Sequence, residues 1–500
     1  MGKRNRREYK MALIKGTNPI LLADVPDPDV IRVGDNYYMI NTTMHFMPGG
    51  EILRSYDLIN WEHETYVFDT IDGTPAQKLE GDLNIYGKGM WAGTIRHHDG
   101  MFYVAFSCND TKKTYLYRSE DIKGPWKRNI IEGFYYDMSL LFDDDKVYVV
   151  HGNTDVFITE LNEDLTGPKD GGLARQIVKD TNAKILGYEG SHIYKIDGRY
   201  YLFLIHSLPD RWMRTEAMYS ADSLEDEFTG GDILCASLED RPDGLAQGGI
   251  VEGPDGKYHA ILFRDNGALG RIPVVVPVTK TEGGFTFEKP SKCIENTSTR
   301  PEYVYKPLAG SDDFKADSDK ESFGFKSIWQ FNHEPDLSLV RRDEDNGVVY
   351  IKTAKVTDKV TQAKNTLTQR TLGPVCAAEV TVDAANLKEG DTAGLMLLQG
   401  KYSYVGITVK DGKYYAVMNA IGETKEEIPA DNKITLRAEC DFTNGKDEVR
   451  YFANGKAIGE PFHMEFTLEH FTGARFALFV SSSEQAGGEA GFSDFIYERK

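Results

Sequence analysis

The chain has 500 residues, which is enough for two to four domains of ordinary size. Its 58 Lys and Arg and 78 Asp and Glu give a formal net charge of −20, which argues against nucleic acid or an anionic membrane as a partner. With 48 Gly, 27 Tyr and 25 Phe and no sustained helical period, the composition predicts an all-β fold of short strands joined by tight turns.

The apolar stretches, the first residues and the cysteines of the chain indicate the class of protein to which it belongs. No stretch of 18 apolar residues exists, and the basic segment MGKRNRREYK at the start is not followed by an apolar run. We therefore expect neither a membrane span nor a secretory signal, and a cytoplasmic location. The cysteines are odd in number and never form a CxxC pair, which predicts buried free thiols at Cys108, Cys235, Cys293, Cys376 and Cys440.

A repeated pattern dominates the first 300 residues. Each copy has a turn followed by an aromatic residue or His and an apolar run, as in the second strand of a β-hairpin: GDNYYMINTT, HDGMFYVAFS, DDDKVYVVHG, IDGRYYLFLIHS and PDGKYHAILFRD. The spacings are 65, 45, 53 and 58 residues between the equivalent positions Tyr38, Tyr103, Tyr148, Tyr201 and His259. Such spacing is typical of four-stranded blades, so residues 1–300 are predicted to form a five-bladed β-propeller.

The same register places candidate functional residues. Eleven or twelve positions before each equivalent position, just ahead of the first strand of the hairpin, stand Asp27, Trp91, Asp137, Glu189 and Gln247. Because the innermost strands of a propeller surround one axis, these side chains should project into one funnel. A single acid at such a place usually caps a turn. Three acids in one register instead favour a catalytic site, since gathered like charges displace pKa values.

The pattern changes after the fifth repeat. Residues 279–310 contain three prolines and are interpreted as a connection. Residues 311–500 carry strand-length apolar or alternating segments separated by the turns DNG, DGK and NGK: GVVYIKTA, YVGITVK, KYYAVMN and ARFALFVSS. This region is predicted to be a β-sandwich, since it shows no further copy of the blade repeat.

Several of these segments resemble the motifs of glycoside hydrolase family 43, the five-bladed β-xylosidases and α-L-arabinofuranosidases. They are NPILLADVPDPDVIRVGDNYYMI, YYDMSLLFDDDKVYVVHG and EGSHIYKIDGRYYLF. The resemblance implies that Asp27 is the general base, Asp137 the third carboxylate and Glu189 the general acid. SIWQFNHEPD, TLTQRTLGP and GDTAGLMLLQ look like the C-terminal sandwich of two-domain xylosidases, which implies a concanavalin A-like jelly roll over 311–500.

The resemblance also implies substrate-binding residues. Trp91, in MWAGTIRHHDG, matches a position that stacks on the sugar. Arg271, in GALGRIPVVVPV, matches a substrate-contacting arginine that would bond sugar hydroxyls or hold Asp27 ionised. The prediction that Gln247 binds substrate depends only on its position in the blade register. The stretch MHFM occupies the place of first-blade pocket residues, which makes Phe46 a further candidate.

The chemistry implied is inverting glycoside hydrolysis. Asp27 would activate water while Glu189 protonates the leaving oxygen, with their carboxyls roughly 6.5 to 9.5 Å apart. Asp137 is expected to raise the pKa of Glu189 by like-charge repulsion. We expect exo-acting release of xylose or arabinose from xylo-oligosaccharides or arabinoxylan fragments, with a small oligosaccharide as partner and no required cofactor.

Two other functions stay open at this point. A non-catalytic sugar-binding propeller would not need the three acids, and an endo-arabinanase would use an open groove. The sandwich favours exo action, because in similar proteins it helps close the groove into a pocket. Whether a structural calcium ion is bound also stays open. The His that many family members place on the propeller axis is Ala246 here, whereas Asp312, Asp313 and Asp494 could supply oxygen ligands. Oligomeric state is not specified by the sequence.

Overall fold

Almost every regular element in this computed structural model is a β-strand, as the composition predicts. The structure describes residues 11–238 and 241–500, so the basic first ten residues lie outside the described part. Helical structure there is limited to short 3₁₀ turns at Gly267–Leu269, Ser322–Gly324, Leu337–Leu339, Val360–Gln362 and Thr443–Gly445. None of the described helices is long and apolar enough to cross a membrane.

The first strands of the chain are β1, which lies outside the blades, and the strands of the first two blades. Strands are numbered in chain order, and β1 (Ala12–Thr17) stands before the first blade. Blade one contains β2 (Asp29–Val33), β3 (Asn36–Ile40), β5 (Gly49–Ser55) and β6 (Glu62–Phe68), with the short β4 (Phe46–Met47) outside it. Blade two contains β7 (Thr94–His98), β8 (Met101–Cys108), β9 (Lys113–Ser119) and β10 (Lys127–Ile131).

Three further four-stranded antiparallel blades complete the propeller. Blade three contains β11 (Ser139–Asp143), β12 (Lys146–Asn153), β13 (Asp155–Glu160) and β14 (Ala174–Lys179). Blade four contains β15 (Glu189–Ile196), β16 (Arg199–Ser207), β17 (Arg214–Ala221) and β18 (Thr229–Leu234). Blade five contains β19 (Ile250–Glu252), β20 (Tyr258–Asp265), β21 (Arg271–Thr281) and β22 (Gly284–Phe287). The five-bladed prediction is confirmed, and each repeat copy supplies the second strand of one blade.

The two ends of the propeller are fastened together by β1 and β23 (Cys293–Ser298). These strands pair antiparallel along their whole length, from Ala12 opposite Ser298 to Thr17 opposite Cys293. The side chain of Asn18 then donates to the carbonyl of Val275 and accepts from its N–H, at 2.8 and 3.0 Å. Because buried backbone groups need partners, this amide fixes the start of the chain on blade five.

The remaining strands form two packed sheets, which confirms the concanavalin A-like sandwich. Their bounds are β24 (Gln330–Asn332), β25 (Val340–Asp343), β26 (Val348–Lys352), β27 (Leu367–Arg370), β28 (Val375–Asn386), β29 (Asp391–Leu398), β30 (Ser403–Lys410), β31 (Lys413–Ala420), β32 (Glu423–Pro429), β33 (Lys433–Asp441), β34 (Glu448–Ala453), β35 (Lys456–Ala457), β36 (Phe462–His463), β37 (Arg475–Ser482) and β38 (Glu489–Arg499). One sheet has the order β32-β31-β30-β29-β37-β27-β24-β4, and the other has β25-β26-β38-β28-β33-β34-β35, with β36 beside β34.

The two domains contact each other directly, in addition to being linked by the connecting segment. Strand β4 belongs to the first-blade region in sequence but pairs with β24 of the sandwich. Ala268, Leu269 and Ile272 of blade five lie within the main hydrophobic core of the sandwich. Burial of a residue the size of Leu269 or Ile272 stabilises by about 1.5 to 3 kcal/mol. The core of the sandwich therefore includes part of blade five, and the two domains are expected to fold as a unit.

The structure corrects the expected burial of two cysteines and shows what surrounds Asp312. All five cysteines are free, but Cys235 and Cys293 are exposed, so burial holds only for the other three. The Asp312 carboxylate accepts from Trp329 Nε1 at 2.9 Å and lies 3.0 Å from Lys326 Nζ. Its oxygens are thus engaged by protein groups. Within the described ranges, no group of three or more His, Cys, Asp or Glu is arranged to hold a metal ion.

Candidate active site

Three of the register residues share an unusual backbone conformation. Asp27, Asp137 and Gln247 have φ angles of 54°, 46° and 57°. Positive φ is uncommon for residues other than Gly and is often kept at functional sites. Each residue stands two or three positions before the first strand of its blade. The same local turn, repeated on three blades, aims these side chains toward the propeller axis.

The predicted residues meet in one cavity of about 460 Å³. Its walls include all five register residues and the predicted arginine: Asp27, Trp91, Asp137, Glu189, Gln247 and Arg271. Five blades thus contribute to a single site, although the residues span more than 240 positions of sequence. Such a concave site with convergent carboxyls is a typical place for catalysis.

Asp27 is held from both sides and is 6 % exposed. Thr42 Oγ1 donates to Asp27 Oδ2 at 2.6 Å, and Arg271 Nη1 donates to Asp27 Oδ1 at 2.8 Å. Both carboxyl oxygens of Asp27 are therefore held in place, and one of them lies beside a cation, which suits a general base.

Glu189, at the start of β15, lies in a different electrostatic environment. Burial raises the pKa of Glu189 to about 6, and the negative charge of Asp27 acts in the same direction. Hydrogen bonds from Tyr136 and Asn153 to Glu189 Oε2, together with the charge of Arg214, oppose this rise. Glu189 accordingly carries a proton over part of the range near neutrality, as a general acid does.

Asp137 is 7 % exposed, and its pKa is raised well above the ordinary value. Burial is the first cause, followed by the negative charges of Glu189 and Asp27, while Arg271 opposes them. Asp137 is therefore harder to ionise than an ordinary aspartic acid. For Glu189, too, burial is the leading cause of the raised pKa.

Arg271, at the start of β21, contacts Asp27 and has further donors that could bond a ligand. It bonds Asp27 through Nη1, whereas its buried Nε and Nη2 have no hydrogen-bond partner in the described structure. Its guanidinium carbon lies 4.4 Å from the centroid of the Phe471 ring. Buried donors without partners are costly, so a ligand hydroxyl at Nη2 would relieve that cost.

Trp91 and Gln247 both lie in the cavity wall. The Trp91 ring lies 5.8 Å from that of Tyr136 and 6.2 Å from that of Phe471. It also borders a neighbouring open groove of about 510 Å³. The backbone N–H of Gln247 donates to Glu216 Oε2 at 2.8 Å, which fixes the turn that presents its side chain.

Phe46 does not belong to the cavity wall, so its prediction as a substrate-binding residue is wrong. It is 1 % exposed, and its ring lies 3.7 Å from the guanidinium carbon of Arg475. The reason is the pairing of β4 with β24, which turns Phe46 into an apolar cluster between the domains. Met44, two positions earlier, lines the cavity in its place.

Sequence reasoning missed a trio beside Glu189. Arg214 donates to both carboxylate oxygens of Asp265, at 2.8 and 3.0 Å, and Trp212 Nε1 donates to Asp265 at 3.3 Å. Burial would raise the pKa of Asp265, but the charge and hydrogen bonds of Arg214 lower it. The segment RWMRT follows a blade's second strand, and that position could have pointed to the cavity.

The sandwich supplies a further wall that no local pattern indicates. Phe466, Leu468 and Phe471, between β36 and β37, border the cavity. Leu468 is 74 % exposed at its mouth. The second domain therefore closes one side of the site.

Comparison with known proteins agrees with this geometry. Residues 16–285 match the family model for glycosyl hydrolases family 43. The chain belongs to glycoside hydrolase family 43. It is a glycoside hydrolase, and its residues 312–498 match the beta xylosidase C-terminal concanavalin A-like domain.

Relatives of this family 43 enzyme include proteins with two named activities. A beta-xylosidase of Formosa agariphila is 26 % identical over 96 % of the chain and 90 % of that protein. A non-reducing end alpha-L-arabinofuranosidase of Bacteroides ovatus is 23 % identical over 94 % of the chain and 92 % of that protein. A solved structure of a bifunctional GH43-CE protein of Bacteroides eggerthii is 38 % identical, with a TM-score of 0.91. That likeness covers 98 % of this chain, which spans 64 % of the other.

Proposed function

We propose that this family 43 enzyme is an exo-acting, inverting glycoside hydrolase that releases xylose or arabinose from xylo-oligosaccharides or arabinoxylan fragments. The observation that carries the proposal is the contrast between two carboxyl groups in one cavity. Asp27 is bound to a guanidinium, while burial raises the pKa of Glu189 to about 6. A carboxyl group held by a cationic donor suits a base, and a buried carboxyl group with a raised pKa suits an acid.

The proposed reaction assigns one task to each group. Asp27 accepts a proton from a water molecule, whose oxygen attacks the anomeric carbon. Glu189 gives its proton to the glycosidic oxygen as that bond breaks, so the leaving alcohol departs neutral. Asp137 is the third acid of the site, and burial together with the charges of Glu189 and Asp27 raises its pKa.

The charge of the cavity supports a neutral sugar as substrate. Arg271 is paired with Asp27, and Arg214 is paired with Asp265, so neither guanidinium is left to attract an anion strongly. The flat ring of Trp91 and the free donors of Arg271 suit the faces and hydroxyls of a sugar ring. The names of the relatives support xylose and arabinose.

Exo action is supported by the wall from the sandwich. Phe466, Leu468 and Phe471 border the same cavity as the acids, which limits how far a chain could extend past that side. A propeller without this wall would leave the funnel open, as an endo-acting enzyme needs.

The test is a panel of substrates with product analysis. Purified enzyme is assayed on nitrophenyl β-xyloside, nitrophenyl α-L-arabinofuranoside, xylo-oligosaccharides, arabinoxylan and linear arabinan. We expect monosaccharide release from at least one of the first four, with an inverted anomeric centre in NMR spectra recorded within the first turnovers. Asp27→Asn should lose about 10²- to 10⁴-fold in kcat while keeping its melting temperature.

Three results would contradict the proposal. Oligosaccharides released from the interior of linear arabinan would indicate the endo-arabinanase alternative. Binding of oligosaccharides without turnover would indicate a sugar-binding propeller. A product with retained configuration would remove the inverting mechanism.

A further inference from the structure

Asp24 connects parts of the molecule that are far apart in sequence. Its Oδ1 accepts the backbone N–H of Arg271 at 2.8 Å, and its Oδ2 accepts the backbone N–H of Gly473 at 2.8 Å. The backbone carbonyl of Asp24 accepts from Arg370 Nε at 3.1 Å. One buried carboxylate in the segment before blade one thus holds blade five and a loop of the sandwich.

The two glycines beside Asp24 show how closely the junction is packed. A Cβ on Gly270 would lie 2.2 Å from Asp24 Oδ1, and Gly270 has a φ of 97°. A Cβ on Gly473 would lie 2.3 Å from the Leu269 carbonyl oxygen and 2.8 Å from Asp24 Cβ. A real Cβ atom does not approach other atoms this closely, so both positions require glycine. Asp24 is therefore closely surrounded at this junction.

The groups that Asp24 holds are those that face the proposed general base. Arg271 Nη1 donates to Asp27, and the Phe471 ring, two positions before Gly473, lies 4.4 Å from the Arg271 guanidinium carbon. A shift of Gly473 would move Phe471, and a shift of the Arg271 backbone would move its guanidinium. Misplacement of a reacting group by about 1 Å can cost about 100-fold in rate.

We propose that Asp24 is a positioning residue, whose carboxylate sets the placement of Arg271 and of the Phe471 loop and through them the orientation of Asp27. The inference rests on the proposed function, in which Asp27 is the base. Asp24 does not border the cavity, and both of its oxygens bond backbone N–H groups. It therefore acts through its neighbours and not on the sugar.

The test compares Asp24→Asn with the matched variant Asp447→Asn in the full chain. Asp447 is also a buried carboxylate at the domain junction, and its Oδ2 accepts the Ala268 N–H at 2.9 Å, on the same turn of blade five. Within the described residues, it makes no hydrogen bond to Arg271 or Gly473. Asp24→Asn should lose thermal stability, since it replaces one of two engaged acceptor oxygens with an amide donor. Asp447 Oδ1 has no partner in the described part of the chain, so Asp447→Asn can keep its bond to Ala268 and should lose less.

Only Asp24→Asn should change the kinetics. We expect its kcat to fall about ten- to a hundred-fold and its KM to rise several-fold, equally for nitrophenyl glycosides and oligosaccharides. The effect should not depend on the leaving group, because water activation is impaired and proton donation is not. Asp447→Asn should keep kcat and KM within about twofold of wild type, measured well below its melting temperature.

A double-variant cycle with Phe471→Ala provides a second readout. If Asp24 acts through the loop, Asp24→Asn should cost clearly less in kcat/KM when Phe471 is already Ala. Additive losses, unchanged kinetics in Asp24→Asn or equal losses in Asp447→Asn would each overturn the inference. Failure of Asp24→Asn to fold while Asp447→Asn folds would also overturn it. An inactive wild type would instead refute the proposed function.

Discussion

Arg271 Nη1 and Asp27 Oδ1 lie 2.8 Å apart, although 244 residues separate them in the chain. The pair joins the start of β21 in blade five to the turn before β2 in blade one. Both groups are buried, so their attraction is screened little by water. Closure of the propeller thus places the partner of the proposed base.

Arg271→Ala should remove this partner without removing any acid. We expect kcat/KM to fall roughly 10- to 150-fold, the equivalent of a charged hydrogen bond of about 1.5 to 3 kcal/mol. Arg271→Lys should recover little, because one ammonium cannot reproduce the forked donors. The measurement is steady-state kinetics on a nitrophenyl glycoside, with the exposed Arg341→Ala as control. Full activity in Arg271→Ala would show that Asp27 needs no guanidinium.

Glu189→Ala should discriminate between leaving groups. A general acid matters most for a poor leaving group, since an alkoxide needs a proton while nitrophenolate departs unaided. We expect a loss of several orders of magnitude on xylo-oligosaccharides and a much smaller loss on a nitrophenyl glycoside. Equal losses on both would leave Glu189 as a binding residue only.

The basic limb of the kcat/KM profile should lie near pH 6. Glu189 acts in its protonated form, its pKa is about 6, and activity should therefore fall as the pH rises through that value. Burial and the charges of Glu189 and Asp27 raise the pKa of Asp137, so the two neighbouring acids influence each other's ionisation. Asp137→Asn removes that neighbouring acid, and we expect the basic limb to move to lower pH, because Glu189 then ionises more readily. An unchanged limb in this variant would contradict an electrostatic role of Asp137 toward Glu189.

His63 should make stability depend on pH above neutrality. Burial would lower the pKa of His63, but hydrogen bonds and charges from Glu321 and Glu51 raise it to about 9. Because the folded pKa exceeds the unfolded value, the stabilisation is complete below about pH 6.5 and disappears as the pH rises through 9. The contribution is at most about 3 kcal/mol. Melting temperatures from pH 6 to 10 should fall more for wild type than for His63→Gln, and parallel curves would contradict this.

Removal of residues 311–500 should abolish activity, solubility or both. The truncated propeller would expose Leu269 and Ile272 to solvent and leave the buried Glu51 without Arg370, which lies 2.6 Å away. It would also lack the Phe471 wall of the cavity. Size-exclusion chromatography and kinetics on short substrates test this. A soluble propeller with wild-type kcat/KM would show that the sandwich is an independent module.

Much of the fold and the three acids could be predicted from sequence because they follow a local period. Each blade hairpin is coded by a turn and an apolar run within about a dozen residues, and copies of one hairpin must take equivalent places around one axis. Asp27, Asp137 and Glu189 share a position in that repeat, so the repeat alone brought them to one cavity. Their chemical types indicated a catalytic site, and the resemblance to family 43 indicated the reaction.

The tertiary structure decided what depends on contacts between distant segments. Phe46 lies outside the cavity because β4 pairs with β24. Phe471 lines the cavity because the sandwich loop that carries it packs against blade five. The raised pKa of Asp137 comes first from its burial, which exists only in the folded protein. No local period encodes such contacts, since they arise from packing between domains whose matching surfaces are far apart in the chain. The sequence by itself therefore determined the scaffold and its acids, and the tertiary structure determined their burial and the shape of the pocket.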